Sequence, residues 1–484
     1  MRMSREDILA VYEEGPDAVV QLVEFLLEKF TEEVARLEAR VKTLEGQLKL
    51  NSRNSSKPPS SDGFRKPPAK RKKTGKPPGG QKGHKGHTLM MVEDPDWEIT
   101  HPVTECESCG RSLERVEPAG CERRQVFDLP PITVEVTEHR VERKFCPGCG
   151  CESKAAFPED VTQPTQYGPR IKATAVYLSQ YQLIPYERTG EAFSDLFGCD
   201  ISEGTLVNWN SAASEILKPV EDEIKRLLTR CPVANFDETG IRVEGKTAWL
   251  HVSSTEELTH YGAHPKRGRK AMDDIGILPE FRGTAEHDCW SPYHSYDCSH
   301  ALCNAHNLRD LTFLAEEKGE KWAGKMKRLL GNANAAVNER KAGGFKRLKR
   351  SEKKKIEERY EKILEKGFLA NPLPDIRGQP KKRGRRKKAK SRNLLERLRN
   401  RQSEVLRFMH DFSVPFDNNL AERDLRMAKV KQKISGTFRS WDGAHDFCRI
   451  RGYISTARKN SVPVIGALAD VFEGKPSIPL PVDP

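Results

Sequence analysis

The sequence predicts a multi-domain α/β protein, with a mixed sheet and a helical insertion forming the body of the chain and smaller segments leading into it. Three observations predict this. Residues 233–254 alternate apolar and polar, turn at Glu244-Gly245 and alternate again, which is the pattern of a hairpin. Residues 414–440 contain a run free of Pro and Gly from Phe416 to Ser435, with the 3,4 spacing of a helix. Two CxxC pairs upstream mark a separate small domain.

Composition bounds the rest. The 484 residues leave room for about three domains. The chain carries 83 Lys and Arg against 70 Asp and Glu, a net charge of +13, and is 32% charged and 36% hydrophobic. A basic, soluble chain of this kind is expected to have anionic partners, nucleic acid first. No apolar run approaches the roughly 20 residues of a membrane span, and residues 1–15 lack the apolar core of a signal peptide. The expected location is the cytoplasm, with the nucleoid. In a reducing compartment the 12 cysteines favour metal over disulfides.

Within 1–50, apolar residues fall at Val20, Val23, Leu27, Phe30, Val34, Leu37, Val41, Leu44 and Leu48. This alternating 3,4 spacing predicts a coiled coil and self-association; a helix packed on its own domain is the alternative. Residues 51–95 follow as a basic linker, with NSRNSSKPPSSD ending the helix and a Gly/Pro/Lys-rich stretch at 63–88 that cannot form a core. That stretch serves either as a solvated spacer or as an arm neutralising phosphates. In 96–160, Cys106 and Cys109, then Cys146 and Cys149, each followed by Gly, predict a structural Zn2+ site in a zinc-ribbon-like domain. The 36 residues between the pairs include a strand-like run at 132–145, and Cys121 and Cys151 are spare ligands. Residues 161–228 read as helices: one ending near Leu183, one at 186–197, and one capped by Ser202. This is helix-turn-helix grammar, with Thr205, Asn208 and Asn210 as groove-facing candidates, although ordinary helical packing gives the same pattern.

Residues 229–460 hold the sheet. The hairpin is followed by a third strand (LTHYGAH), a helix at 270–281 and a fourth strand ending at Asp288. Three strands, a helix and a further strand, with Asp237 on the first strand and Asp288 at the end of the fourth, is the order of a ribonuclease H-like sheet. The later helix, with Asp417 as its expected N-cap, places Ala421, Leu425 and Ala428 on one face and Glu422, Arg426, Lys429 and Lys433 on another. Alone, this would be a solvated face with a Glu–Arg pair. With two aspartates on strands it becomes a constellation. In-line displacement at phosphorus is stabilised by two divalent ions about 4 Å apart held by hard oxygen ligands. Asp237 would bridge both ions, and Asp288 and Glu422 would complete one site each, with Mg2+ or Mn2+ as the metal. Asp424 competes for the third role but lies about 200° around the helix from Glu422.

Between Asp288 and Glu422 lie 133 residues, read as a helical insertion at about 300–412. It includes PKKRGRRKKAKSR, where Lys381, Lys382, Arg383, Arg385 and Arg386 are candidate DNA contacts alongside Arg426, Lys429, Lys433 and Arg439. Cys303 and His306 have metal-ligand spacing but only two ligands, and read as packing residues at a helix start or as groups positioning DNA. Residues 461–484 read as a tail.

Six separated motifs, in order, carry a resemblance. NSSKPPSSD with GGQKGHKGH, the cysteine pairs, Asp237-Glu-Thr-Gly240, Asp288-Cys-Trp-Ser-Pro-Tyr293, Cys303-Asn-Ala-His306 with Arg309, and FDNNLAERDLRMAKVKQKISGTFRSWDGA resemble the insertion-sequence DDE transposases of the IS66 family. The resemblance covers roughly 51–472. It implies a DDE active site at Asp237, Asp288 and Glu422, metal-dependent strand cleavage and strand transfer, recognition of the inverted ends of the element and of target DNA, and helper proteins encoded by the same element. A DNA-binding regulator on the same scaffold that no longer cuts is the second function class.

Overall fold

The structure, a computed structural model, describes residues 5–48, 88–130, 132–373 and 388–477. Most of the basic linker and Lys381, Lys382, Arg383, Arg385 and Arg386 lie outside the described residues. The described chain divides into two compact units, one of 66–158 with 191–200 and one of the rest.

Helix α1 (Arg5–Glu13) precedes α2 (Pro16–Leu48), a continuous 33-residue helix. Its 3,4 row is exposed, Leu27 at 59% and Phe30 at 69%. In the cysteine-rich unit β1 (Arg143–Phe145) pairs antiparallel with β2 (Glu152–Lys154). The strand expected over 132–145 therefore exists only in its last three residues. Val134 and Val136 of the run are exposed, and alternation without a surface to cover does not hold a strand.

In the larger unit, α3 (Pro169–Val176) continues through a π-helical turn (Tyr177–Tyr181), and the chain reverses at Leu183 with φ +64°. Helix α4 (Tyr186–Phe197), which passes into the 191–200 stretch of the other unit, comes next in the chain, and α5 (Glu203–Ile216) and α6 (Lys218–Arg230) follow. The sheet comprises β3 (Val233–Val243), β4 (Lys246–Ser254), β5 (Thr259–His264), β6 (Thr284–His287) and β7 (Ser299–Leu302), with α7 (Arg269–Ile275) before β6. Its order is β5-β4-β3-β6-β7. The first three strands are antiparallel neighbours, and β6 and β7 run parallel to β3 and to each other. The β3–β4 turn has positive φ at both Glu244 and Gly245, as a two-residue hairpin turn of matching twist requires.

Alternation along β3 assigns its faces. Ala234 and Phe236 pack into a core with α3, α5, α6 and residues of α16 (Val464–Phe472). Ile241 and Val243 pack on the opposite face with Ala421, Leu425 and Ala428 of α14 (Asn419–Ile434). The insertion is helical: α8 (Asn304–Glu317), α9 (Lys321–Ala342), α10 (Arg350–Ala370), α11 (Lys390–Asn400), α12 (Gln402–Val405) and α13 (Arg407–His410) share a core of their own around Trp322, Met326, Leu330, Tyr360 and Leu395. The expected tail is corrected. Its first part is α16, with Val464, Ala467, Leu468 and Val471 buried.

Helix α15 (Trp441–Lys459) is tied to α6 by Arg449, whose Nε donates to Glu221 at 2.7 Å. Burial alone would raise the Glu221 carboxyl, but bonds from His260 and Arg449 lower it to about 2. Burial holds His260 itself below its ordinary value, so Arg449 supplies the lasting positive charge. A depressed carboxyl contributes stability above the unfolded value, and that stability is lost as pH falls through the folded one. Glu221→Gln is therefore expected to cost about 2 kcal/mol at pH 7 and nothing near pH 2. Urea unfolding of both proteins at several pH values checks this. Among the described residues no helix is long and apolar enough to cross a membrane.

Candidate active site

Three carboxylates arrive from three elements. Asp237 lies mid-strand on β3, on the face that α14 covers; Asp288 directly follows β6, the parallel neighbour of β3; Glu422 lies in the first turn of α14. Burial is the main cause that raises the Asp237 carboxyl well above its ordinary range, followed by the charge of Glu238. The Glu238 amide, donating to Asp237 Oδ1 at 2.9 Å, offsets part of this, while the charges of Asp288 and Glu422 raise it further. The charges of Asp288 and Glu422 thus reach Asp237, although among the described residues the three acids are not a group whose ligand atoms all lie within 4.8 Å of one another. Asp288 is oriented by the Trp290 amide, which donates to its Oδ1 at 2.9 Å. Glu422 Oε2 lies 3.6 Å from Arg309 Nη2, and its Oε1 is buried without a partner. A buried carboxyl raised by the charges of neighbouring carboxylates is relieved by a divalent cation, and the oxygen donors present fit that chemistry.

The floor of the site is polar. Asn418, not Asp417, occupies the N-cap position of α14, but its side chain caps nothing. Instead its Oδ1 accepts from Asn235 Nδ2 at 2.8 Å and its Nδ2 donates to the Phe236 carbonyl at 2.8 Å, clamping the helix to β3. Asp417 accepts from the Asn419 amide at 3.2 Å. Beside Asn235 in the sheet, Glu286 is fully buried with neither carboxylate oxygen partnered. Burial, then the charge of Asp417, raises it well above its ordinary value. Glu238 is held by Arg267, whose Nε and Nη2 reach its Oε1 at 2.8 and 2.6 Å, and by the Tyr293 hydroxyl. Arg267 lies between the rings of Trp249 and Trp290. These partners leave Asp237 as the acid of the Asp237-Glu238 pair that faces the other carboxylates. Asp424 is an ion-pair residue, 2.9 Å from Lys459 Nζ. Cys303 and His306 stand beside Glu422, the three offering ligand atoms within 4.8 Å of one another. The Cys303 thiol accepts from the Asn418 amide at 3.2 Å, and the His306 Nδ1 is buried without a partner.

Each cysteine knuckle is formed. Gly110 and Gly150 take φ of +70° and +72° and donate to the carbonyls of Cys106 and Cys146 at 2.9 and 2.8 Å. Backbone amides of Cys109 and Ser108, and of Cys149 and Gly148, lower the Cys106 and Cys146 thiols, favouring the thiolate that ligates metal. Among the described residues the four sulfurs are not one of the converging groups.

Comparison with known families now decides the kinship. The family described as "Transposase IS66 family" matches residues 164–446, more than half of the chain. The chain belongs to this family. The zinc-finger binding domain of transposase IS66 matches residues 104–150, and a family of unknown function (DUF6444) matches 10–90. No curated protein matches the chain.

Membership in the IS66 transposase family makes this a DNA-acting protein with a zinc-finger domain, and the remaining expected contacts can be placed. Arg426, Lys433 and Arg439 are exposed. Lys429 donates to the Gly240 carbonyl, so it braces α14 on β3 as well as facing outward. Asn208 is exposed and Thr205 is half-buried within the Ser202 cap. Asn210 is corrected: it is 3% exposed and donates to the Leu206 carbonyl at 2.9 Å and to Tyr186 at 3.2 Å, an internal role. Sequence reading missed Asn235, Asn418, Glu286 and Arg267. The only signal for Asn235 was a polar residue within an alternating strand, and for Asn418 its place at the start of a helix.

Proposed function

We propose that this IS66-family transposase cleaves and rejoins DNA strands through a DDE site at Asp237, Asp288 and Glu422, holding two Mg2+ or Mn2+ ions. The observation that carries the reading is the convergence of these acids at the meeting of β3, β6 and α14. A sheet whose order runs third, second, first, fourth and fifth strand, with the last two parallel to the first, supports a ribonuclease H-like core. When bound, the ions supply charge stabilisation to the attacking and leaving oxygens of an in-line displacement. The protein's part is positional: Asn418 fixes α14 on β3, the Trp290 amide fixes Asp288, and Arg309 balances the charge of Glu422. Arg426, Lys433 and Arg439 hold the phosphate backbone, joined by the basic residues Lys381, Lys382, Arg383, Arg385 and Arg386 of the sequence, with Thr205 and Asn208 at the helical region. Cys106, Cys109, Cys146 and Cys149 hold Zn2+ structurally. The exposed row of α2 self-associates as a coiled coil, and helper proteins of the same element join at the element ends, in the nucleoid.

The test is mobility of a marker flanked by the DNA that borders this gene, with neighbouring small reading frames supplied. Movement with the intact chain is expected. No movement, together with no metal-dependent nicking of the same ends by purified protein that still binds them, would make the chain a DNA-binding regulator instead.

A further inference from the structure

At the turn that carries Asp288, three histidines meet. His287 ends β6, His294 lies in the 3₁₀ turn (Ser291–Ser295), and His300 lies on β7. One ligand atom from each falls within 4.8 Å of the others. His287 Nε2 and His300 Nδ1 are 3.1 Å apart, close to the separation of two nitrogens on one tetrahedral zinc ion, whose Zn–N bonds are about 2.0–2.1 Å. A fourth donor stands next to one of them: Cys289 Sγ is 3.8 Å from His294 Nε2, outside the mutual cluster of the three rings. On the other side of that ring, Nδ1 faces Glu404 Oε2 at 3.9 Å, and both atoms are buried with no hydrogen-bond partner. Glu404 is already anchored through its other oxygen by Arg401 at 2.8 Å. A carboxylate behind the far nitrogen of a metal-binding histidine is the usual means of fixing its tautomer and orientation.

We infer that His287, His294 and His300 form a second zinc site, separate from both the cysteine knuckles and the carboxylate site, with Cys289 as fourth ligand and Glu404 orienting His294. Imidazole and thiolate donors select zinc or its neighbours over magnesium. The ion would join β6, the 3₁₀ turn and β7, and so brace the turn between His287 and Trp290 from which Asp288 projects. Binding has one local consequence. Metal on His287 Nε2 places the ring proton on Nδ1, which now accepts from the Cys289 amide at 3.1 Å. That contact opens, and the movement falls at Cys289, whose φ is +72°.

The test is the metal content of the full chain purified without chelator. Two zinc ions per chain are expected in the wild type, one in His294→Asn/His300→Asn, and one in Cys106→Ser/Cys109→Ser. A single zinc in the wild type, lost in the cysteine variant and kept in the histidine variant, would overturn the site and leave a hydrogen-bonded histidine stack. If the histidine variant does not fold, the cysteine variant loaded with Co2+ decides. Visible absorption of a tetrahedral cobalt site supports the inference, and its absence contradicts it.

Discussion

Asp237→Asn is expected to lower strand transfer by about 10³-fold or more while binding to element ends stays within a factor of two or so, because lost metal stabilisation of several kcal/mol appears in the rate. Asparagine keeps the shape and the bond from the Glu238 amide to Oδ1, so the fold is undisturbed. It removes a carboxyl on which the charges of Asp288 and Glu422 both act. The variant chain should be slightly more stable without metal, since a carboxylate crowded by like charges has been made neutral. Asp288→Asn and Glu422→Gln should behave alike in transfer assays. Gel-shift titrations and strand-transfer assays on the same preparations separate the two effects. Full transfer by any one of the three would remove that residue from the site.

Lys459→Met is expected to destabilise the protein by about 3 kcal/mol, the cost of leaving a largely buried charge unpaired. Its ammonium, 12% exposed in the side chain, meets Asp424 at 2.9 Å and the carbonyls of Thr255 and Leu258 at 2.8 and 3.2 Å. Methionine fills the volume but strands Asp424 and the Thr255 carbonyl, while the Leu258 carbonyl keeps the Thr255 amide at 2.9 Å. Asp424→Asn should cost less, because Lys459 retains the two carbonyls. It should also leave strand transfer near the wild-type rate, which separates Asp424 from Glu422 on the same helix. Urea midpoints measure the first expectation, and transfer assays the second. A large loss of transfer in folded Asp424→Asn would reopen the choice of the third acid.

How much was legible follows from what each residue needs. Alternation along residues 233–254 located the hairpin, its turn and the face on which Asp237 lies, because one face of the strand is buried and a register slip would invert it. The 3.6 period of α14 gave Ala421, Leu425 and Ala428 as its buried stripe, and thereby the outward direction of Glu422. Strand β7 was invisible, since four residues, SHAL, carry too little alternation to stand out. Asp417 looked like the cap because aspartate is favoured there, yet the tertiary bonds of Asn418 to Asn235 and Phe236 outweighed the local preference. Asn210 looked like a reading residue from its place near the start of a helix, but its side chain closes a hydrogen-bond network inside the helical region. Pattern gives the face of an element. It does not give the partner that a polar side chain finds across the fold.

The most direct test of the metal site is to let bound iron mark its own ligands. With Fe2+ in place of Mg2+, and ascorbate and peroxide added, radicals cut the backbone only near the ion. Cuts are expected close to 237, 288 and 422, suppressed together by excess Mg2+ and absent in Asp237→Asn. Cuts confined to the neighbourhood of 287–300 or 303–306, or no cuts suppressed by Mg2+, would contradict a divalent site shared by the three acids.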